Sequence, residues 1–443
     1  MTIIEDSSWQ NKPEHYKTEI VLFSAIRILV HAMMRMVYPF LAVFGRGLGV
    51  DLTTISMAVT IRNFSAILVP FISSIFDKRS RKSGMLTGMG LFIIGCALVT
   101  FWPTFVMFVI ALSFTFIGMH TFVASMQAYQ SDTISPDKRE QAIVITSLGW
   151  ALSFVVAVPL LGLIIGKFGW LSPFPVMGIL GVISVLCLLW IVPPGKKALN
   201  NQKEKIQNGI MQVFSSPTAI TGVLMILLFC AAHEVVNLVF GVWMEDTYGI
   251  SIKALGIAST VIGIAELLSV VIVSWLITRA GSKRTVAIGL VFSAITAILI
   301  PFIGKFGLWG AEVGLFLFNL AFQIPFIAYA PLLTEVLPLA RASLLGATLA
   351  SVGVGRMLGA LVAPYLFFWG FEYNALMAMI LFLISLITLS RIKTTHQILK
   401  PSILSINKIQ ENINYFWIEL FPRNITDVCQ DFISKPGRTI WPV

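Results

Sequence analysis

The stretch Ser73-Ser74-Ile75-Phe76-Asp77-Lys78-Arg79-Ser80-Arg81-Lys82 crowds charge into the gap between two long apolar runs, 53–76 and 84–102. Its outline returns once, as Ser274-Trp275-Leu276-Ile277-Thr278-Arg279-Ala280-Gly281-Ser282-Lys283, again between apolar runs, 254–278 and 285–304. Other positions keep the same register: Asp132, Pro136 and Arg139 answer Glu335, Pro338 and Arg341, and Pro159 answers Pro364. An apolar chain that repeats itself in this way reads as two parallel helical repeats in a bilayer, related by an axis along the membrane normal. That is a transporter architecture.

The composition agrees. The 443 residues are 57% hydrophobic and only 12% charged, against roughly 25% charged in soluble domains, and the mean hydropathy is +0.88. A soluble enzyme is excluded. A bilayer core of about 30 Å takes roughly 20 apolar residues per helical crossing. Runs of that kind lie at 19–44, 53–76, 84–102, 105–128, 142–166 and 171–193, then at 217–243, 254–278, 285–304, 309–335, 343–369 and 372–390. They are continuous rather than alternating, so they predict twelve transmembrane helices and not barrel strands. The polar start, with Glu5, Asp6 and Glu14, and the length of the first run argue against a cleaved signal. Cys96, Cys187 and Cys230 lie in apolar runs and Cys429 stands alone, which excludes a disulfide framework.

Lys and Arg number 31 against 21 Asp and Glu, a formal charge of +10. Of these 31, 23 fall in the termini and in the loops after helices 2, 4, 6, 8 and 10; the opposite loops hold four, Arg46, Lys167, Lys253 and Lys305. By the positive-inside rule both termini are cytoplasmic, in the cell (inner) membrane. The charge is thus a topology signal, and no nucleic-acid partner is expected. The expected domains are a six-helix bundle at 1–193, a cytoplasmic linker at 194–216 rich in lysine, a second bundle at 217–390 and a tail at 391–443. In the tail Ile406, Ile409, Ile413, Phe416 and Leu420 recur at helical spacing, which predicts a cytoplasmic amphipathic helix.

On these repeated loops the sequence resembles the major facilitator superfamily, of the twelve-helix type similar to drug and sugar efflux permeases. Asp77, Lys78, Arg81 and Lys82 match the family's GxxxDRxGRR element, with Ser73 and Ser80 at its usual glycines. Arg279 and Lys283 are its counterpart in the second half. The resemblance implies that these residues gate the cytoplasmic side, with Asp77 facing the start of helix 11 near Ala342 and Ser343. It also implies that helices 1, 4, 7 and 10 line a central cavity.

Polar groups sit on all four of those helices. Arg27, His31 and Arg35, at spacings of four, form one stripe on helix 1, continued by Tyr38. Each arginine facing lipid would cost at least about 2.5–3.5 kcal/mol, so the stripe must face protein or water. Helix 4 offers His120 and Gln127, helix 7 His233, Glu234 and Asn237, and helix 10 Asn319 and Gln323. Arg62, Glu266 and Arg356 lie on helices 2, 8 and 11. Two readings follow. In one, Arg27 and Arg35 meet an anionic group, the polar residues of helices 1, 4, 7 and 10 bind substrate, and Glu234 and Glu266 carry a coupling proton. In the other, the glutamates hold the arginines across the interface between the halves and set a conformation.

His233, Glu234 and Asn237 resemble a zinc-enzyme HExxH, but the second ligand is missing and no cofactor is expected. The expected function is secondary transport of a small organic or amphiphilic solute by alternating access, as proton-coupled export from a monomer. Import or facilitated movement of a small organic anion, and a sensor that moves no solute, are the alternatives.

Overall fold

The computed structural model describes residues 15–68, 80–193, 213, 215–336 and 341–392. Among them every regular element is helical. In chain order these are α1 (His15–Arg35), α2 (Leu41–Leu48), α3 (Leu52–Phe64), α4 (Arg81–Phe101), α5 (Phe105–Thr133), α6 (Lys138–Phe168), α7 (Pro173–Ile191), α8 (Pro217–Tyr248) and α9 (Ile252–Ala280). The series ends with α10 (Ser282–Gly304), α11 (Leu308–Val336), α12 (Arg341–Phe367) and α13 (Phe371–Ser390).

Among the described residues ten helices are long and apolar enough to cross a membrane, and eleven if Leu41–Leu48 and Leu52–Leu68, bent by 112°, count as one. The expected first crossing, 19–44, is carried by α1 and α2 with a break at 36–40. At 21 residues and 1.5 Å per residue α1 is about 30 Å long, enough for a bilayer core. It falls outside the apolar set because Glu19, Arg27 and Arg35 lie within it. Asp77, Lys78 and the tail beyond residue 392, including its expected helix, lie outside the described residues.

The repeat read from the loops has a structural counterpart that the sequence reading did not anticipate. Helix α2 ends at Gly49 with φ 68°, and α8 ends at Gly249 with φ 62°. Both adopt the left-handed conformation that glycine enters without a Cβ clash. Two residues on, Asp51 accepts a hydrogen bond from the Thr54 amide and Ser251 from the Ala254 amide, so each starts the next helix. The Asp51 carboxyl is held below its usual range by its hydrogen bonds with Thr54. The two motif lysines match as well. Lys82 Nζ donates to the carbonyl of Leu189 at 2.9 Å, in the last turn of α7, and to that of Val192 at 2.5 Å, just past it, and Lys283 Nζ donates to the Ile392 carbonyl at 2.6 Å, past the end of α13. Each lysine satisfies otherwise free carbonyls at a helix C-terminus.

Helices before residue 194 meet those after 216 along two seams, α3 against α12 and α6 against α9, with a smaller contact of α2 on α8. Small residues permit the close approach. A Cβ on Gly162 of α6 would stand 3.0 Å from the Gly256 Cα of α9. Within the second group, a Cβ on Gly359 of α12 would stand 2.6 Å from the Ala231 carbonyl of α8. These glycines are packing positions that let helices approach closely.

Candidate functional site

All four interior arginines are buried in protein. Arg27, Arg35, Arg62 and Arg356 expose 9%, 4%, 1% and 8% of their surface, which places none of them on lipid. Arg27 and Arg356 line a cavity of about 500 Å³. Its polar wall holds Arg27, His31, Asn63, His120, Ser147, Glu266, Gln323 and Arg356, and the rest of the lining is chiefly apolar, including Phe116, Met119 and Phe326.

Two networks tie the early helices to the late ones beside this cavity. In the first, Arg35 of α1 forms an ion pair with Glu266 of α9, whose Oε1 also accepts from Gln323 Nε2 of α11 at 3.0 Å. Arg35 Nη1 donates to the Trp150 carbonyl at 2.6 Å and to Ser153 Oγ at 3.4 Å. The guanidinium carbon lies 4.2 Å from the Trp150 ring centroid and 3.8 Å from that of Phe154. These aromatic faces stabilise the cation. The carbonyl at Trp150 stands just before a π-helical turn, Ser153–Ala157, which precedes Pro159. Such turns leave a carbonyl free for a side chain.

In the second network, Tyr38 donates to Glu234 Oε1 of α8 at 2.9 Å, and Arg62 Nη2 donates to the Tyr38 hydroxyl at 2.9 Å. Arg62 also binds the Met34 carbonyl at 3.0 Å and Asn63 Oδ1 at 3.2 Å, and Asn63 Nδ2 reaches Glu234 Oε1 at 3.4 Å. Arg356 acts electrostatically on both Glu234 and Tyr38. One oxygen of each carboxylate, Glu234 Oε2 and Glu266 Oε2, has no hydrogen-bond partner.

Most of the predicted site residues come together here. Arg27, His31, His120 and Gln323 line the cavity; Arg35, Tyr38, His233, Asn237 and Asn319 line a narrow adjoining pocket, which Glu266, Gln323 and Arg356 also border. His233 stacks on Phe322 with centroids 3.7 Å apart and its Nε2 lies 3.2 Å from Asn319 Oδ1. Gln127 is half-buried and lines neither space. Of the gating set, Arg81 pairs with Asp132 at 3.0 Å, Arg279 lies over Trp275, and Lys82 and Lys283 bind helix ends as described. The sequence reading passed over Asn63, Ser147, Trp150, Ser153 and Phe154. Ser147, Trp150 and Ser153 recur every three residues along α6, with Phe154 four beyond Trp150, and that polar and aromatic spacing was the available signal. Among the described residues no group of three or more His, Cys, Asp or Glu is placed to hold a metal ion.

Comparison with known proteins gives the family. The model of the Major Facilitator Superfamily matches twice, over residues 23–233 and 222–417. The uncharacterised MFS-type transporter YceJ of Bacillus subtilis (strain 168) is 24% identical over 304 residues, 68% of this chain and 76% of that protein. YbcL of the same organism, likewise an uncharacterised MFS-type transporter, is 21% identical over 288 residues, 64% of this chain and 72% of that protein. Among solved structures, a variant of the nucleoside transporter NupG superposes with a TM-score of 0.71 at 16% identity, covering 84% of this chain and 99% of that one. A POT family transporter complexed with a thioalcohol-conjugated peptide does so with 0.69 at 12% identity, covering 84% and 95%. The chain therefore belongs to the Major Facilitator Superfamily and is a multi-pass membrane transporter.

Proposed function

We propose that the protein carries a small amphiphilic organic anion together with a proton, as a monomer in the cell (inner) membrane with both termini in the cytoplasm. The two helix groups, 1–193 and 217–390, rock about the cavity joined by the 194–216 linker. One observation carries this reading: among the described residues four buried guanidinium groups, Arg27, Arg35, Arg62 and Arg356, stand in the interior against two glutamates, Glu234 and Glu266, of which Glu266 lines the cavity with Arg27 and Arg356. Buried charge without a counter-charge is costly, and a substrate anion supplies what is missing while the apolar walls take its body.

Coupling follows from the same electrostatics. An anion entering the cavity repels the nearby carboxylates and makes proton uptake by Glu266 or Glu234 easier, so solute and proton bind together. Proton-exchanged export of an amphiphile requires the two to compete for a carboxylate, and the guanidinium excess works against a cationic solute. The test is uptake by proteoliposomes of a panel of amphiphilic carboxylates, sulfonates and amines under an imposed pH gradient. Accumulation of anions from the acidic side is expected. In Glu266→Gln, exchange of labelled solute should persist while gradient-driven accumulation fails. Accumulation of cations alone, or an unchanged gradient response in both Glu266→Gln and Glu234→Gln, would refute the proposal.

A further inference from the structure

We infer that the substrate's anionic group is a carboxylate or sulfonate seated on Arg27, beside Ser24 and Ser147, and that Arg35 takes no part in holding it. The inference rests on the anion-carrying reading above and adds to it a place and a headgroup chemistry. The two arginines of the α1 stripe differ in what already occupies them. Arg35 has a carboxylate, a carbonyl, a hydroxyl and two aromatic faces, and it borders only the narrow pocket of about 20 Å³. That volume holds about one water molecule and no solute.

Arg27 lines the 500 Å³ cavity. Its Nη1 donates to Ser147 Oγ at 3.2 Å, its Nε has no partner, and no carboxylate acts on it. Nearly a full turn earlier on the same helix Ser24 Oγ is also buried without a partner. A nine-tenths buried guanidinium with spare donors beside an unused hydroxyl costs free energy as it stands. An oxoanion resolves this, because two of its oxygens match the fork of the guanidinium.

The adjoining helix is shaped for the purpose. A Cβ at Gly149 would stand 3.1 Å from Arg27 Cβ and 3.2 Å from Arg27 Cγ, so the missing side chain is what lets the arginine stem lie against α6 with its head at Ser147. The segment Ser147-Leu148-Gly149-Trp150 thus reads the α1 stripe in order. Ser147 meets the head of Arg27, Gly149 its stem, and Trp150 meets the edge of His31 at 5.1 Å and the face of Arg35. Gly149 is a positioning residue, acting through Arg27. Beyond Arg27 the cavity continues between Met119, Phe116 and Phe326, which suits an apolar body joined to the headgroup.

The test is equilibrium binding of octanoate and naphthalene-2-sulfonate to the full chain in nanodiscs, with octanamide and octylammonium as uncharged and cationic controls. Wild type should bind both anions and neither control. Arg27→Gln should weaken anion binding about tenfold or more, Arg27→Lys by less because the charge remains without the fork, and Gly149→Ala a few-fold. Arg35→Gln should weaken it less than Arg27→Gln does. If Arg35→Gln loses octanoate while Arg27→Gln and Gly149→Ala bind it as wild type does, the seat is wrong and the anion reading survives. If wild type binds octanamide or octylammonium as well as octanoate, or binds neither anion, the anion reading itself falls. Gly149→Ala keeps the test open should Arg27→Gln fail to fold.

Discussion

Breaking the Arg35–Glu266 pair from its two ends should give unequal penalties. In Glu266→Gln the guanidinium stays buried, and removing one partner of a buried pair costs roughly 3–5 kcal/mol. The lower end applies, because the Trp150 carbonyl and the faces of Trp150 and Phe154 still hold the cation. In Arg35→Gln the Glu266 carboxylate keeps the Gln323 amide alone, and its second oxygen has no partner, so the penalty lies at the upper end, about 5 kcal/mol. The double variant removes both charges and should lie near wild type, so the coupling energy approaches the sum of the two single penalties, about 8 kcal/mol. Unfolding of all four proteins in one detergent makes the measurement. A double variant no better than the sum of the singles, or equal penalties from the two ends, would refute the pairing.

Other perturbations follow from the same geometry. Arg46 and Glu245 join α2 to α8 at 2.7 Å but are 58% and 24% exposed, so a double-mutant cycle should give below about 1 kcal/mol, vanishing near about 0.5 M salt. Gly162→Leu forces a side chain into Gly256 and should cost about 1–3 kcal/mol or splay the α6–α9 seam, read by thermal unfolding and by crosslinking across that seam. The depressed Asp51 carboxyl contributes stability above the usual carboxylate range that is lost as pH falls through its lower folded value. Asp51→Asn should therefore leave the neutral-pH melting temperature nearly unchanged and flatten its decline on the acid side.

What the sequence disclosed and what it withheld divide along physical lines. Membrane spans and the repeat were legible because hydrocarbon demands long apolar runs and because matching loops keep matching charges. The interior arginines were legible for the converse reason, since charge in an apolar run must be satisfied inside. Their partners were not. Whether Arg35 meets a substrate or Glu266 depends on how α1 lies against α9, 231 positions away, and no local spacing encodes that. The paired breaks were readable in principle: Gly49-Val50-Asp51 and Gly249-Ile250-Ser251 each set a left-handed helix stop two residues before an N-cap. They were missed because each lies in a short gap between expected runs, 45–52 and 244–253, and those gaps were read for their charge alone.

The distribution of these contacts bears on how the halves move. The side-chain hydrogen bonds described between them in the interior run from first-half groups to second-half carboxylates: Arg35 to Glu266, and Tyr38 and Asn63 to Glu234, with Arg62 behind Tyr38. Both ties sit beside the narrow pocket, where the halves meet, and neither uses Arg27. An anion on Arg27 adds negative charge near Glu266 without severing either tie directly. Protonating Glu266 then removes the ion pair and leaves Arg35 held by α6 alone. On this logic an anion alone leaves the Arg35–Glu266 tie closed, and a proton alone opens it only by adding to the guanidinium excess. Both together open the tie with no change in the cavity's net charge, which couples two bound species to one conformational change.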